Sequence, residues 1–306
     1  MKITVVGAGN VGATLAMRIL EADLGDVVLL DIFGDIAKGK ALDLSDAAPL
    51  KGVNHGIIGT DRYDMIEGSS IVVITAGFPR KPGMSREELI FKNSGIVKEA
   101  AGNIKRFCPD SIIIVVTNPL DAMTYIAYKE SGFKKNRVMG MAGVLDTSRF
   151  INLICREAGV SCSEVETWML GSHGDTMVPV LSHTKIKGRA INEVLGADVV
   201  NRAVDRAKNR GAEIVSFLKT GSAYYAPSAS AFAMVDSIVN DKKAVLPVSC
   251  FLEGEYGLKD ICIGVPARIG TDGIEEIVEL ELDENESASF LRSAGQIKKN
   301  IEEACK

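Results

Sequence analysis

Ile3-Thr4-Val5-Val6-Gly7-Ala8-Gly9-Asn10-Val11-Gly12 runs directly into an apolar-periodic stretch, 13–22. That succession predicts a buried strand, a tight turn and a helix. Each glycine has a separate task. Gly7 permits the turn, Gly9 lets a pyrophosphate approach the backbone, and Gly12 lets the helix lie close on the strand. The helix start, with Asn10 and Val11, then offers unpaired N–H groups and a positive dipole end to phosphates. Val27-Val28-Leu29-Leu30 reads as a second strand ending at Asp31. A carboxylate there suits the adenosine ribose hydroxyls and would repel a 2′-phosphate, so NAD is expected rather than NADP. A glycine cluster alone makes many ordinary turns; here the flanking strand, helix and distal acid all agree.

The rest of the first half repeats the strand and helix alternation. Strands are expected near 3–6, 27–31, 71–75, 112–117 and 137–141, with helices between them. This is the pattern of a doubly wound parallel Rossmann sheet, which takes its ligands at the carboxyl ends of strands. Thr75-Ala76-Gly77 and Thr117-Asn118-Pro119 follow two of those strands and should face the crevice. Beyond about residue 143 the texture changes. A helix is expected over 146–158, a strand near 165–170, helices over about 197–219 and 228–239, and consecutive strands near 244–251, 261–267 and 274–282. This second half reads as an α+β substrate domain with antiparallel strands, giving two domains, 1–142 and 143–306. Near the C-terminus, Phe290, Ala294, Ile297 and Ile301 lie on one face of an amphipathic helix.

Composition narrows the function classes. The chain has 306 residues, 46% apolar and 25% charged, with 35 Lys and Arg against 40 Asp and Glu, a net charge of −5. That length accommodates a large core, and the mild acidity weighs against nucleic acid or an anionic membrane as partner. The six cysteines include no C-x-x-C pair, so neither a metal cluster nor a redox motif is signalled. No secretory leader or spanning run is recognisable, and a cytoplasmic location is the expectation.

Three histidines occur, and one has a distinctive setting: Gly171-Ser172-His173-Gly174-Asp175, just after an expected strand end. Flanking glycines leave that imidazole open, as a general acid/base requires. His55 and His183 lack such a setting and read as structural or surface residues. Asp146-Thr147-Ser148-Arg149 opens a helix. Asp146 could be a plain N-cap and Arg149 a plain helix charge. Alternatively, Asp146 raises the basicity of an imidazole and Arg149 forks onto a substrate carboxylate. The loop 77–88, with its two prolines and the cations Arg80, Lys81 and Arg86, contains the capping box Ser85-x-x-Glu88 and also suits a closing lid. A dinucleotide crevice, an acid/base and several arginines point to redox chemistry on a small anion. A nucleotide-binding module without chemistry and an adenosylmethionine-dependent methyltransferase are rivals, and a cofactor titration separates them.

Together ITVVGAGNVG, VVLLDI, GKALDL, TAGFPRKPGMSREEL, VTNPLD, GVLDTSR, GSHGDTMVP and SAYYAPSAS resemble the lactate/malate dehydrogenase superfamily, in its lactate-dehydrogenase-like malate dehydrogenase branch. The resemblance runs over essentially the whole chain. It implies His173 as proton donor and acceptor, Asp146 as its orienting partner, and Arg149 as the bidentate carboxylate ligand. It implies Arg86 as the group polarising the ketone and Arg80 as the selector of the substrate. Lactate enzymes carry a neutral glutamine at the latter place; an arginine there meets a second carboxylate, so a small dicarboxylate is expected. Ala223, where lactate enzymes commonly have threonine, agrees with that choice. Asn118 would bind substrate and position the nicotinamide region, and Thr75, Ala76, Gly77, Asn93 and Val116 would complete the NAD site, with no metal. The resemblance also implies a homo-oligomer, a tetramer or a dimer.

Overall fold

A computed structural model describes residues 1–78 and 86–305. The apolar runs of the first half become β1 (Lys2–Val6), β2 (Asp26–Leu30), β3 (Ile57–Thr60), β4 (Ile71–Ile74), β5 (Ile112–Val115) and β6 (Val138–Gly140). Helices α1 (Asn10–Glu21), α2 (Gly34–Lys51), α3 (Arg86–Phe107) and α4 (Leu120–Ser131) connect them. The strands are parallel in the order β3-β2-β1-β4-β5-β6. The chain runs outward from β1 in one direction and then from β4 in the other. The crevice of a doubly wound sheet therefore opens between the carboxyl ends of β1 and β4.

Strand β3 was not anticipated from the sequence. It has only four residues, lies at the sheet edge, and includes Gly59. A Cβ on Gly59 would lie 2.2 Å from the Ala37 carbonyl oxygen, so close packing of α2 on the sheet uses a residue that weakens the strand signal.

In the second half, α5 (Gly143–Ala158) leads to β7 (Val165–Glu166), β8 (Met169–Leu170), β9 (Val178–Pro179), β10 (Lys185–Ile186) and β11 (Arg189–Ala190). The single strand expected at 165–170 is thus two. β7 pairs with β10, and β8 with β9, in separate small sheets. Side-chain bonds replace a ladder between them: the Thr167 and Thr184 hydroxyls meet at 2.7 Å, and the Thr147 hydroxyl accepts the Met169 N–H at 3.0 Å.

Helices α6 (Ile191–Val194), α7 (Ala197–Leu218) and α8 (Tyr225–Val239) precede β12 (Ala244–Glu253), β13 (Lys259–Gly270), β14 (Gly273–Ile277) and the final helix α9 (Glu284–Ala304). The last three strands are antiparallel, as expected, but they do not form a sheet of their own. Ser249 of β12 pairs with Gly140 of β6, extending the parallel sheet to nine strands. A Cβ on Gly140 would sit 2.3 Å from Thr124 Oγ1 and 2.9 Å from Ser249 Cβ, so the junction requires glycine. One apolar core consequently runs through both halves. Phe290, Ala294, Ile297 and Ile301 are all buried on one face of α9. Its start is a capping box, with Asp283 Oδ1 accepting the Glu286 N–H at 2.8 Å and Glu286 Oε2 accepting the Asp283 N–H at 3.1 Å.

Candidate active site

The glycine turn occupies the topological switch point. Gly7 has φ +106°, and a Cβ there would lie 2.6 Å from the Ala76 nitrogen. A Cβ on Gly12 would lie 1.9 Å from the Gly7 carbonyl oxygen, so α1 sits directly on the turn. Gly9 differs, because nothing among the described residues lies within 4 Å of where its Cβ would be. It faces open space, beside the first turn of α1, which no side chain among the described residues caps. A phosphate group fits that place, taking the N–H groups of Asn10, Val11 and Gly12.

Asp31 is tied to the same turn. Its Oδ2 accepts the Ala8 N–H at 2.6 Å and its Oδ1 the Phe33 N–H at 3.0 Å, leaving further lone pairs for ribose hydroxyls. Lys40 of α2 donates to the Ala8 carbonyl at 2.6 Å, a brace that sequence reasoning missed, since one lysine in a helix carries no signal of where it reaches. Across the crevice, Thr75 Oγ1 donates toward the Val6 and Gly7 carbonyls at 3.1 and 3.0 Å, and Thr117 Oγ1 donates to the Ala76 carbonyl at 2.7 Å. Val116 is half-buried at the end of β5, and Asn118 is exposed just beyond it. Asn93 is buried in α3. Its Oδ1 accepts the Phe78 N–H at 2.8 Å, and its Nδ2 donates to the Asn118 and Phe78 carbonyls at 2.7 and 3.3 Å. Its amide therefore holds two pieces of backbone at the crevice, Phe78 and Asn118.

The second cluster stands at the same end of the sheet. Helix α5 follows β6 and begins at Gly143, which places Asp146 inside the first turn rather than at the cap. Asp146 is 2% exposed, and its Oδ2 meets His173 Nδ1 at 2.8 Å. The plain capping role weighed above gives way to the pairing role. Arg149, one turn on, is 12% exposed, with Nη1 3.5 Å from Asp146 Oδ1. Its Nε is buried without a hydrogen-bond partner among the described residues. Burial pushes the Arg149 guanidinium down from its ordinary range, with Asp146 opposing and Arg210 reinforcing. A buried guanidinium with an unsatisfied edge is matched to a planar anion such as a carboxylate.

The loop carrying His173 runs between β8 and β9 and is pinned on several sides. Gly171 exchanges two backbone bonds with Gly264 of β13, at 2.9 and 3.1 Å. Ser293 of α9 accepts the Ser172 N–H at 2.8 Å. A Cβ on Gly171, whose φ is +81°, would lie 2.7 Å from that same serine hydroxyl. The imidazole is held in place by the fold while keeping 17% of its side chain exposed. Burial works against protonating it, but the Asp146 charge and hydrogen bond, with Asp121 assisting, outweigh burial and raise its proton affinity above the ordinary histidine value. Asp121 was not singled out in the sequence, where it is one more acid in VTNPLD. His55 and His183 are engaged elsewhere: His55 Nδ1 meets Asp23 Oδ1 at 2.8 Å, and His183 Nε2 meets the Glu281 carbonyl at 2.8 Å. Arg80 and the remainder of 79–85 lie outside the described residues. Arg86 opens α3, and its side chain lies outside them too.

Known proteins are similar to this chain over nearly its whole length. Residues 1–140 match the family model described as lactate/malate dehydrogenase, NAD binding domain, and residues 143–306 match lactate/malate dehydrogenase, alpha/beta C-terminal domain. A malate dehydrogenase of Chloroherpeton thalassium is 50% identical over 303 residues, covering 99% of this chain and 98% of the relative. The crystal structure of Cryptosporidium parvum malate dehydrogenase superposes with a TM-score of 0.96 at 40% identity, covering 99% of this chain and 98% of the other. A lactate dehydrogenase from the same organism, complexed with lactic acid and nicotinamide adenine dinucleotide, superposes with a TM-score of 0.97 at 38% identity, covering 100% and 98%. With both family domains matched in order over nearly every residue, the chain belongs to the lactate/malate dehydrogenase family, and its first half is that family's NAD-binding domain.

Proposed function

We propose that this chain catalyses the reversible, NAD-dependent oxidation of malate to oxaloacetate with His173 as acid/base. The observation that carries the reading is the His173–Asp146 pair at 2.8 Å, half-buried beside Arg149 at the sheet end where the glycine turn opens. The superposition on a lactate dehydrogenase as well as on malate dehydrogenases means that backbone similarity does not select the substrate. Arg80 supports the dicarboxylate, as do relatives about half identical that are named malate dehydrogenase.

When bound, NAD supplies the acceptor or donor of hydride. With Nδ1 engaged by Asp146, Nε2 is the ring nitrogen that takes the hydroxyl proton in oxidation and returns it in reduction. Asp146 stabilises the imidazolium so formed. Arg149 grips the carboxylate next to the reacting carbon, Arg86 opposes charge growing on the ketone oxygen, and Arg80 meets the far carboxylate. Asn118 orients substrate and nicotinamide, and Asn93 keeps the backbone at Asn118 and at the root of the lid in register.

We divide the chain into an NAD-binding domain, 1–142, and a substrate domain, 143–306. The division is supported by the parallel strands lying before it and by Asp146, Arg149 and His173 lying after it. Exposed Leu42, Leu50, Phe217 and Tyr225 on α2, α7 and α8 support self-association into a dimer or tetramer, which light scattering would measure. No helix among the described residues is long and apolar enough to cross a membrane; we assign the chain to the cytoplasm.

The test is loss of NADH absorbance with oxaloacetate and with pyruvate. Oxaloacetate should be strongly preferred, and Arg80→Gln should move the preference toward pyruvate. Absence of oxaloacetate-dependent turnover refutes the activity. An unchanged ratio of efficiencies in the variant refutes the role of Arg80.

A further inference from the structure

Behind the His173–Asp146 pair lies another carboxylate that the mechanism above leaves idle. Asp121, in the first turn of α4, is 5% exposed. Its Oδ2 accepts the backbone N–H of His173 at 3.1 Å, and its Oδ1 accepts the hydroxyl of Ser249 at 2.7 Å. Ser249 sits on β12 opposite Gly140, at the one register position joining the parallel strands to the antiparallel ones. Asp121 thus links three pieces of the molecule: the helix that follows β5, the seam of the sheet, and the loop of the acid/base.

A clamp of that kind does not require a charge. An asparagine could accept the His173 N–H with its oxygen and offer its NH₂ to Ser249, without the large penalty of burying a carboxylate that no lysine or arginine among the described residues bonds. Among the described residues, the titratable groups facing Asp121 are His173 on its loop, Asp146 on α5 and Cys262 on β13. Of these, only His173 can become positive. We infer that Asp121 is a positioning residue whose geometry fixes the His173 loop and whose charge, added to that of Asp146, stabilises the imidazolium. This inference rests on the reading of His173 as acid/base.

The electrostatics agree with the geometry. Burial raises Asp121 to about 6, against the Ser249 and His173 N–H hydrogen bonds and the His173 charge, while Asp146 pushes it further up. Asp121 in turn raises the proton affinity of His173. As pH falls through about 6, Asp121 takes a proton and its support of the imidazolium is withdrawn.

Asp121→Asn separates clamp from charge. In this variant kcat for malate oxidation should fall roughly tenfold to a hundredfold, the range seen when the hydrogen-bond partners of metal-ligating histidines are removed. KM for malate and affinity for NADH should stay within a few-fold. The midpoint at which His173 titrates should move to lower pH, both in the kcat/KM profile and in NMR of protein labelled at its three histidines. Ser249→Ala makes Asp121 harder to ionise, so it should move the same midpoint in the same direction by less. A loss of rate uniform across pH with an unmoved His173 midpoint in Asp121→Asn overturns the inference. Should that variant fail to fold, an unmoved midpoint in Ser249→Ala overturns it. Wild-type protein without oxaloacetate turnover would defeat the proposed activity instead, and the NMR titration, which needs no turnover, would still decide the role of Asp121.

Discussion

Replacing Asp146 by asparagine removes one charge while keeping the shape of the side chain, and the structure specifies how the replacement amide would lie. Oδ1 faces Arg149 Nη1 at 3.5 Å and Oδ2 faces His173 Nδ1 at 2.8 Å. The amide oxygen belongs opposite the guanidinium, so the NH₂ group turns toward Nδ1. The imidazole then accepts at Nδ1 and carries its proton on Nε2, the tautomer that cannot serve as base. The charge loss adds to this. The charges lie about 4 Å apart, and at an effective dielectric constant of about 20 their attraction is roughly 4 kcal/mol, or about three decades in rate. For Asp146→Asn, kcat in malate oxidation should therefore fall on the order of a thousandfold. KM for oxaloacetate should rise only a few-fold, since the Arg149 contact is long, and NADH affinity by fluorescence titration should hold. Steady-state absorbance assays alongside that titration measure all three. A variant within tenfold of wild-type turnover, or one inactive only because NADH no longer binds, would refute the reasoning.

Gly9→Ala and Gly12→Ala should part company. The first places its methyl in open space and should leave the melting temperature unchanged while weakening NADH binding; the second drives a Cβ into the Gly7 carbonyl and should lower both, as calorimetry with and without NADH will tell. His173→Asn should keep NADH binding and lose turnover, and substantial residual turnover would remove it as acid/base. Because the proton affinity of His173 is raised, oxaloacetate reduction should persist above pH 6.5 and decline as pH passes through the raised value, while malate oxidation rises over that same window; stopped-flow profiles in both directions check this. The same shift makes the contribution of His173 to stability complete below pH 6.5 and lost above the raised value. Asp121, raised from 3.8 to about 6, weighs against folding once ionised. The stability of Asp121→Asn relative to wild type should therefore grow by roughly 2 kcal/mol between pH 4 and pH 7, measured by urea denaturation.

Much of the molecule was legible in the sequence because local rules act there. The turn at Gly7 needs a positive φ, the apolar runs of β1, β2, β4 and β5 are buried on both faces, and the face of α9 repeats at helical spacing. His173 could be picked from three histidines by its glycine neighbours, and the spacing from Asp146 to Arg149 places both side chains toward one site a helical turn apart. Less was legible where identity depends on partners far along the chain. Edge strand β3 has an apolar run of only two residues before Gly59 to announce it, and the break between β7 and β8 follows from hydroxyl contacts with Thr147 and Thr184. The merging of the antiparallel strands into the parallel sheet depends on Gly140 meeting Ser249, more than a hundred residues away. Separation along the chain, 52 and 32 residues, also hid Asp121 and Lys40, ordinary charges until folding sets one against the His173 backbone and the other against the glycine turn. Sequence by itself determined which groups the chain possesses and which of the strongly apolar or periodic segments are strand or helix, since those follow from side-chain chemistry and periodicity. Tertiary structure alone decided which carboxylates stand beside the imidazole and how dry that place is, because burial and electrostatic coupling depend on what surrounds a group in space.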